Sequence, residues 1–214
     1  MIDMDSRLRA ARGFGKIESE SSAAVFRQLK DRGHPEAPPP TVSDGWGGIR
    51  EAMIEVYGKV PEYSGRGRPP SKKQVQPGWK YLRIVKQRDG KGNFCGIRLN
   101  AVYGDEEELI ELFGKSTAYI ERAHLTMRTF SSRLTRKSIA FSKEIGMHKA
   151  CAVFEDMYYN LIRPHKTLRL RNENGGIQKW TQRTPAMAAG LTDHIWTLKE
   201  LFTTVVIGRQ HSMG

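Results

Sequence analysis

The stretch TAYIERAHLTMR, residues 117–128, sets one acid among bases. Between Lys115 and Lys143 the cations are Lys115, Arg122, Arg128, Arg133, Arg136, Lys137 and Lys143, and Glu121 is the single acid. On a helix Glu121, His124, Leu125 and Arg128 share one face, because positions i, i+3, i+4 and i+7 stack on one side. Ile120, Ala123, Met127, Phe130 and Leu134 then form an apolar stripe that could hold the helix against a sheet. A carboxylate set beside phosphate-seeking cations suits a hard divalent ion whose substrate is a polyanion. The plainer reading is a solvated glutamate paired with Arg122, Arg128 or a neighbouring lysine. Asp44, in SDGW, is the second carboxylate of interest. It falls where a short strand ends, just before Gly45, where a side chain can leave the sheet edge for a crevice. An ordinary Asp-Gly turn would use the same two residues without chemistry. Joined, the two acids would suit a phosphoryl-transfer site in which Mg²⁺ (or Mn²⁺) ions sit about 3.5–4 Å apart.

The elements that must position these acids can be read from periodicity and turn chemistry. IDMDSRLRAARGF suits a short extended pair turning at Asp5-Ser6. Residues 19–32 make an amphipathic helix with Ala24, Val25, Gln28 and Leu29 inward and serines as candidate caps, stopped by Gly33 and Pro38–Pro40. A short strand ends at Asp44, and GGIREAMIEVYG is a second helix with Ile49, Ala52, Met53, Val56 and Tyr57 on one stripe. Residues 59–78 form a Gly/Pro/Lys-rich loop that is either disordered or a nucleic-acid contact through Arg66, Arg68, Lys72 and Lys73. WKYLRIVKQRD and FCGIRLNAVYG, joined by DGKGN, form a hairpin with Trp79, Tyr81, Arg83 and Val85 alternating against Lys80, Leu82, Ile84 and Lys86. The acidic run from Asp105 suits the first turn of a short helix. After the basic helix comes another over about 142–161, with Ala150, Val153, Phe154, Met157, Tyr158 and Leu161 at helical spacing. Thr184-Pro185 starts a small helix ended by Gly190, and Thr192-Asp193 starts one running to about Leu201. The class is mixed α/β with a helical C-terminal third.

Totals narrow the partner. Lys and Arg number 35 against 23 Asp and Glu, giving a formal charge of +12 and a pI near 9.8. Such a balance favours a polyanion. Cys95 and Cys151 lack metal-ligand spacing, which argues against a zinc site or a disulfide framework. No apolar run is long enough to span a bilayer, so a soluble, intracellular protein is expected; the family resemblance given below would make it a cytoplasmic, nucleoid-associated prokaryotic one.

Several stretches, in order, resemble the DDE transposases of the insertion sequence 1 type, within the retroviral-integrase and RNase H-like superfamily. SDGW looks like the segment carrying that family's second catalytic Asp, here Asp44. YIERAHLTMR looks like the segment carrying the catalytic Glu, here Glu121, with Arg128 in the place of a DNA-contacting basic residue. RLTRKSIAFSK (133–143) is similar to the family's basic stretch after that helix, and YYNLIRPHKTLR with TPAMAAGL resembles its C-terminal signature. The resemblance implies an RNase H-like mixed sheet flanked by helices and Mg²⁺-dependent DNA strand cleavage and transfer. Asp44 and Glu121 would be catalytic metal ligands, with Arg122, His124, Arg128, Arg133, Arg136, Lys137 and Lys143 on DNA.

One departure weighs against activity. The family's first Asp, in an apolar-Asp-Glu-x-Trp strand, has no counterpart here, and the opening residues match strands 2 and 3 better. The expectation is a downstream part of a transposase, with its first strand missing, metal binding impaired and no activity alone. Residues 1–145 would be the partial catalytic domain and 146–214 a helical extension. Partners would be DNA and either itself or an intact transposase. The competing expectation is a non-catalytic basic DNA-binding protein or an inhibitor of an intact transposase.

Overall fold

The computed structural model describes residues 1–65, 67–115, 118–135, 139–140, 142–172 and 179–204. Two compact units divide the chain: Met1 with Ala10–His124, and Ile2–Arg9 with Leu125–Gly214.

The first unit is built on a three-stranded mixed sheet of order β1-β2-β3. Its elements run α1 (Glu18–Asp31), β1 (Thr41–Ser43), α2 (Gly48–Tyr57), β2 (Tyr81–Arg88), β3 (Phe94–Tyr103) and α3 (Glu106–Phe113). β1 lies parallel to β2, from Thr41 opposite Tyr81 to Ser43 opposite Arg83, with α2 in the connection between them. β2 and β3 form the expected antiparallel hairpin. β2 is the central strand and is buried on both faces. Trp79 and Tyr81 pack with Phe26, Met53 and Tyr57 on one side, and Leu82 and Ile84 pack with Leu109 on the other. The expected inside-outside alternation fails there for that reason, since a strand covered on both faces reads as a continuous apolar run.

α1 turns its inward face to Ala23, Phe26 and Leu29, not to the stripe centred on Ala24 and Val25. Phe26 decides the rotation, because its ring is the largest apolar surface on the helix and meets Tyr57 edge-on at 6.4 Å. The serines do not cap it; Lys16 N donates to Glu20 Oε2 at 2.9 Å instead. α2 buries Ala52, Met53 and Tyr57, as its stripe implied. Asp105 caps α3 by accepting from Glu108 N at 3.1 Å, so the acidic run is a first turn.

α4 (Ala118–Phe130) follows, and its last residues belong to the second unit. There Ile2–Arg9 folds back through a single antiparallel bridge, Ile2 to Arg9, closed by Ser6 N donating to Asp3 Oδ2 at 2.8 Å. α5 (Ile145–Met157) continues into a wider π-helical turn at Tyr158–Ile162. Its buried face carries Ala152, Glu155 and Tyr159, while Val153 and Phe154 are exposed. Glu155 can turn inward because Arg9 meets it there, with Nη1 at 2.8 Å from Glu155 Oε2 and 3.0 Å from Asp156 Oδ1. The guanidinium lies over the Tyr159 ring at 3.9 Å. A two-residue pair, β4 (Leu170–Arg171) with β5 (Trp180–Thr181), was not legible in the sequence. α6 (Pro185–Ala188) starts at the Thr184 cap and is followed by Gly190 at φ 71°. α7 (Leu198–Thr203) starts later than expected, at a Thr197/Glu200 capping box, because Thr192 is engaged by Trp196 Nε1 at 2.9 Å.

Candidate functional site

Asp44 is exposed and directly follows β1. Its Oδ1 accepts from Trp46 N at 3.2 Å, so the Asp-Gly turn forms. Ser43 Oγ donates to the Asp44 carbonyl at 3.0 Å and meets the Tyr81 hydroxyl at 2.8 Å. Burial pushes the Tyr81 phenol up, opposed by the Ser43 hydrogen bond and the Arg83 charge. The Trp46 ring then folds over Gly48. A Cβ at Gly48 would lie 2.3 Å from the far edge of the indole, so the ring would have to shift to admit one, whereas Gly45 and Gly47 meet only ordinary contacts.

Glu121 stands in the first turn of α4 and Arg128 in its last. Glu121, Arg122, His124 and Arg128 are all exposed, while Ala123 is buried. The stripe that should anchor α4 is narrower than expected, since Phe130 is exposed and carries the Arg163 guanidinium over its ring at 4.4 Å. Glu121 Oε1 pairs with Lys86 Nζ, from β2. The plainer reading of Glu121, a solvated glutamate paired with a neighbouring lysine, is what forms, with the lysine coming from β2.

β2 links the two acids. Ser43, the residue before Asp44, registers opposite Arg83; Gly45 lies against the Val85 side chain; Glu121 pairs with Lys86. Residues far apart in the chain thus reach adjacent positions of one strand, next to the carboxyl end of a parallel pair. Arg83 adds a guanidinium beside Gly47, with its Nε buried and without a hydrogen-bond partner.

Arg133 donates to Ser142 Oγ at 3.4 Å, and Lys143 is exposed. In the 59–78 loop, Arg68 and Lys72 are exposed, and Lys73 donates to the Glu55 carbonyl, while a Lys59–Gln74 bridge ties the loop ends. Arg66, Arg136 and Lys137 lie outside the described residues. Among the described residues, no group of three or more His, Cys, Asp or Glu side chains is placed to hold a metal ion. Asp44 and Glu121 have the hard oxygen donors that Mg²⁺ takes, but two carboxylates, one of them bound to a lysine, do not make a two-ion site.

Comparison with protein-family models, curated proteins and solved structures found no match. No described helix is long and apolar enough to cross a membrane.

Proposed function

We propose that the protein acts on DNA and is related to the DDE strand transferases, with Asp44 and Glu121 as the second and third carboxylates of the triad. The observation that supports the reading is that both acids sit on elements that reach β2. Asp44 follows the strand that runs parallel to β2, and Glu121 reaches the same strand through Lys86. A basic chain of +12 supplies the attraction for a phosphate backbone. The exposed Arg122, His124, Arg128, Arg133 and Lys143 are the proposed backbone contacts, and Mg²⁺ or Mn²⁺ is the cation such acids would recruit with a third carboxylate.

A non-catalytic DNA-binding role is the second reading, favoured by the Lys86 ion pair, in which the protein's own cation already neutralises Glu121. The purified 214-residue chain separates the two. The first reading expects DNA binding, no strand transfer, and Mn²⁺-induced line broadening centred on Asp44 and Glu121 that Glu121→Gln removes. Absence of broadening at both residues, with DNA binding intact, would leave the non-catalytic role. Metal-dependent strand transfer abolished by Glu121→Gln would instead restore full catalytic competence to this chain.

A further inference from the structure

We propose that the outer half of the β2–β3 hairpin is a DNA-contacting arm that lies in the groove of a duplex. The proposal rests on the DNA-binding part of the function above and on none of its chemistry.

β1 pairs with β2 only as far as Ser43 opposite Arg83, so the sheet narrows beyond that point to two strands. Burial ends at the same place. Ile84 is 3% exposed, whereas Lys86, Gln87, Arg88, Phe94, Cys95 and Arg98 are all exposed. From Ile84 to Asp89 the ribbon reaches outward by roughly 17 Å at strand rise. A two-stranded ribbon of this kind fits the major groove of B-form DNA.

The side chains on the arm match that partner. Lys86 lies opposite Ile97 and is paired with Glu121; past a register shift Arg88 lies opposite Phe94, setting a cation beside a ring that is 61% exposed. Arg98 stands on the other face, opposite Val85. Arg88 donates only to the Gly92 carbonyl at 2.7 Å, and neither Lys91 nor Arg98 has an ion pair among the described residues. Asp89 is the one acid of the tip, and hydrogen bonds within the turn hold its carboxylate in place and below the usual carboxylate range. Its Oδ1 accepts from Lys91 N and Asn93 N at 2.9 and 2.8 Å, and its Oδ2 from Asn93 Nδ2 at 3.1 Å. With Arg88, Lys91 and Arg98 against Asp89, the arm keeps an excess of positive charge beside an uncovered phenyl ring. Strand-to-strand pairing with a second copy would set like charges against each other, which disfavours that occupant.

The experiment measures binding of the full chain to a mixed-sequence duplex over a salt series. Three proteins are compared: wild type, the triple variant Arg88→Gln, Lys91→Gln, Arg98→Gln, and Phe94→Ala. Circular dichroism checks that each is folded. The triple variant is expected to flatten the slope of log K against log salt by about 2–3. Phe94→Ala is expected to weaken binding about 5- to 100-fold with the slope unchanged. Wild-type slope and affinity in the triple variant would overturn the arm while leaving DNA binding in place. So would variants that bind DNA normally but lose self-association, since the arm would then belong to a second copy. A greater loss on single strands than on duplex would overturn the groove placement. Failure of the wild type to bind DNA would remove both this inference and the function it rests on.

Discussion

At the scale of single residues, the molecule turns on side chains whose demands come from a partner elsewhere. Gly48 is one. Its Cβ position is taken by the Trp46 ring at 2.3 Å, so Gly48→Ala must push the indole off the start of α2. The expected cost is about 1–3 kcal/mol, read as a lower urea midpoint, with a shifted Trp46 indole resonance marking the cause. Arg9 is another, with its side chain only 5% exposed between Glu155 and Asp156. Arg9→Met leaves two carboxylates short of their cation and is expected to cost about 3 kcal/mol in chemical denaturation, much more than Lys86→Met, which removes an exposed pair worth at most about 1 kcal/mol. A similar loss from both would show that Arg9 is not the buried anchor. The sequence announced Asp44 and Glu121 because each stands out from its neighbours. It could not announce Arg9, Lys86 or the need for glycine at 48, because each is defined by a residue brought close only by folding.

Whole elements were more legible than their faces. α2, the β2–β3 hairpin, the Asp105 cap and the Thr184 start of α6 follow from local caps, turns and periodicity. α5 was placed correctly but turned the wrong way, because a glutamate neutralised by Arg9 packs inward where an apolar count expects a surface residue. α7 exposes the same limit. Thr192-Asp193 and Thr197 are both plausible starts, and the true one is set by a hydrogen bond from Trp196. At that start His194 places Nδ1 2.6 Å from Asp193 and Nε2 3.0 Å from Glu200, an arrangement in which both ring nitrogens donate. Asp193 first, then Glu200, raise the imidazole above its ordinary 6.5. A raised folded pKa means that its stabilisation is complete below 6.5 and is lost as pH rises through the higher folded value. An NMR titration of His194 should therefore run above 6.5 and fall in Glu200→Gln; a midpoint at or below 6.5 would rule the clamp out.

For the molecule as a whole, the charge of +12 favours the polyanionic partner proposed above and sets the chain's own repulsion. Duplex DNA at low ionic strength is expected to raise Tm, and the gain should vanish near 0.5 M salt, roughly where counterion release no longer favours binding. An equal gain at both salts would mean that the contact is not electrostatic. The mixed α/β class was readable from the order of elements, but the division into units was not. Ile2–Arg9 joins residues beyond 124 through contacts that span most of the chain. Arg9 precedes Asp156 and Asn160 by 147 and 151 positions. On a ribosome adding about 5–20 residues per second, its guanidinium waits roughly 10–30 s for the helix that will neutralise it. Through that interval the N-terminal turn stays open to chaperones, proteases and nucleic acid, and it closes only after the α5 helix has emerged.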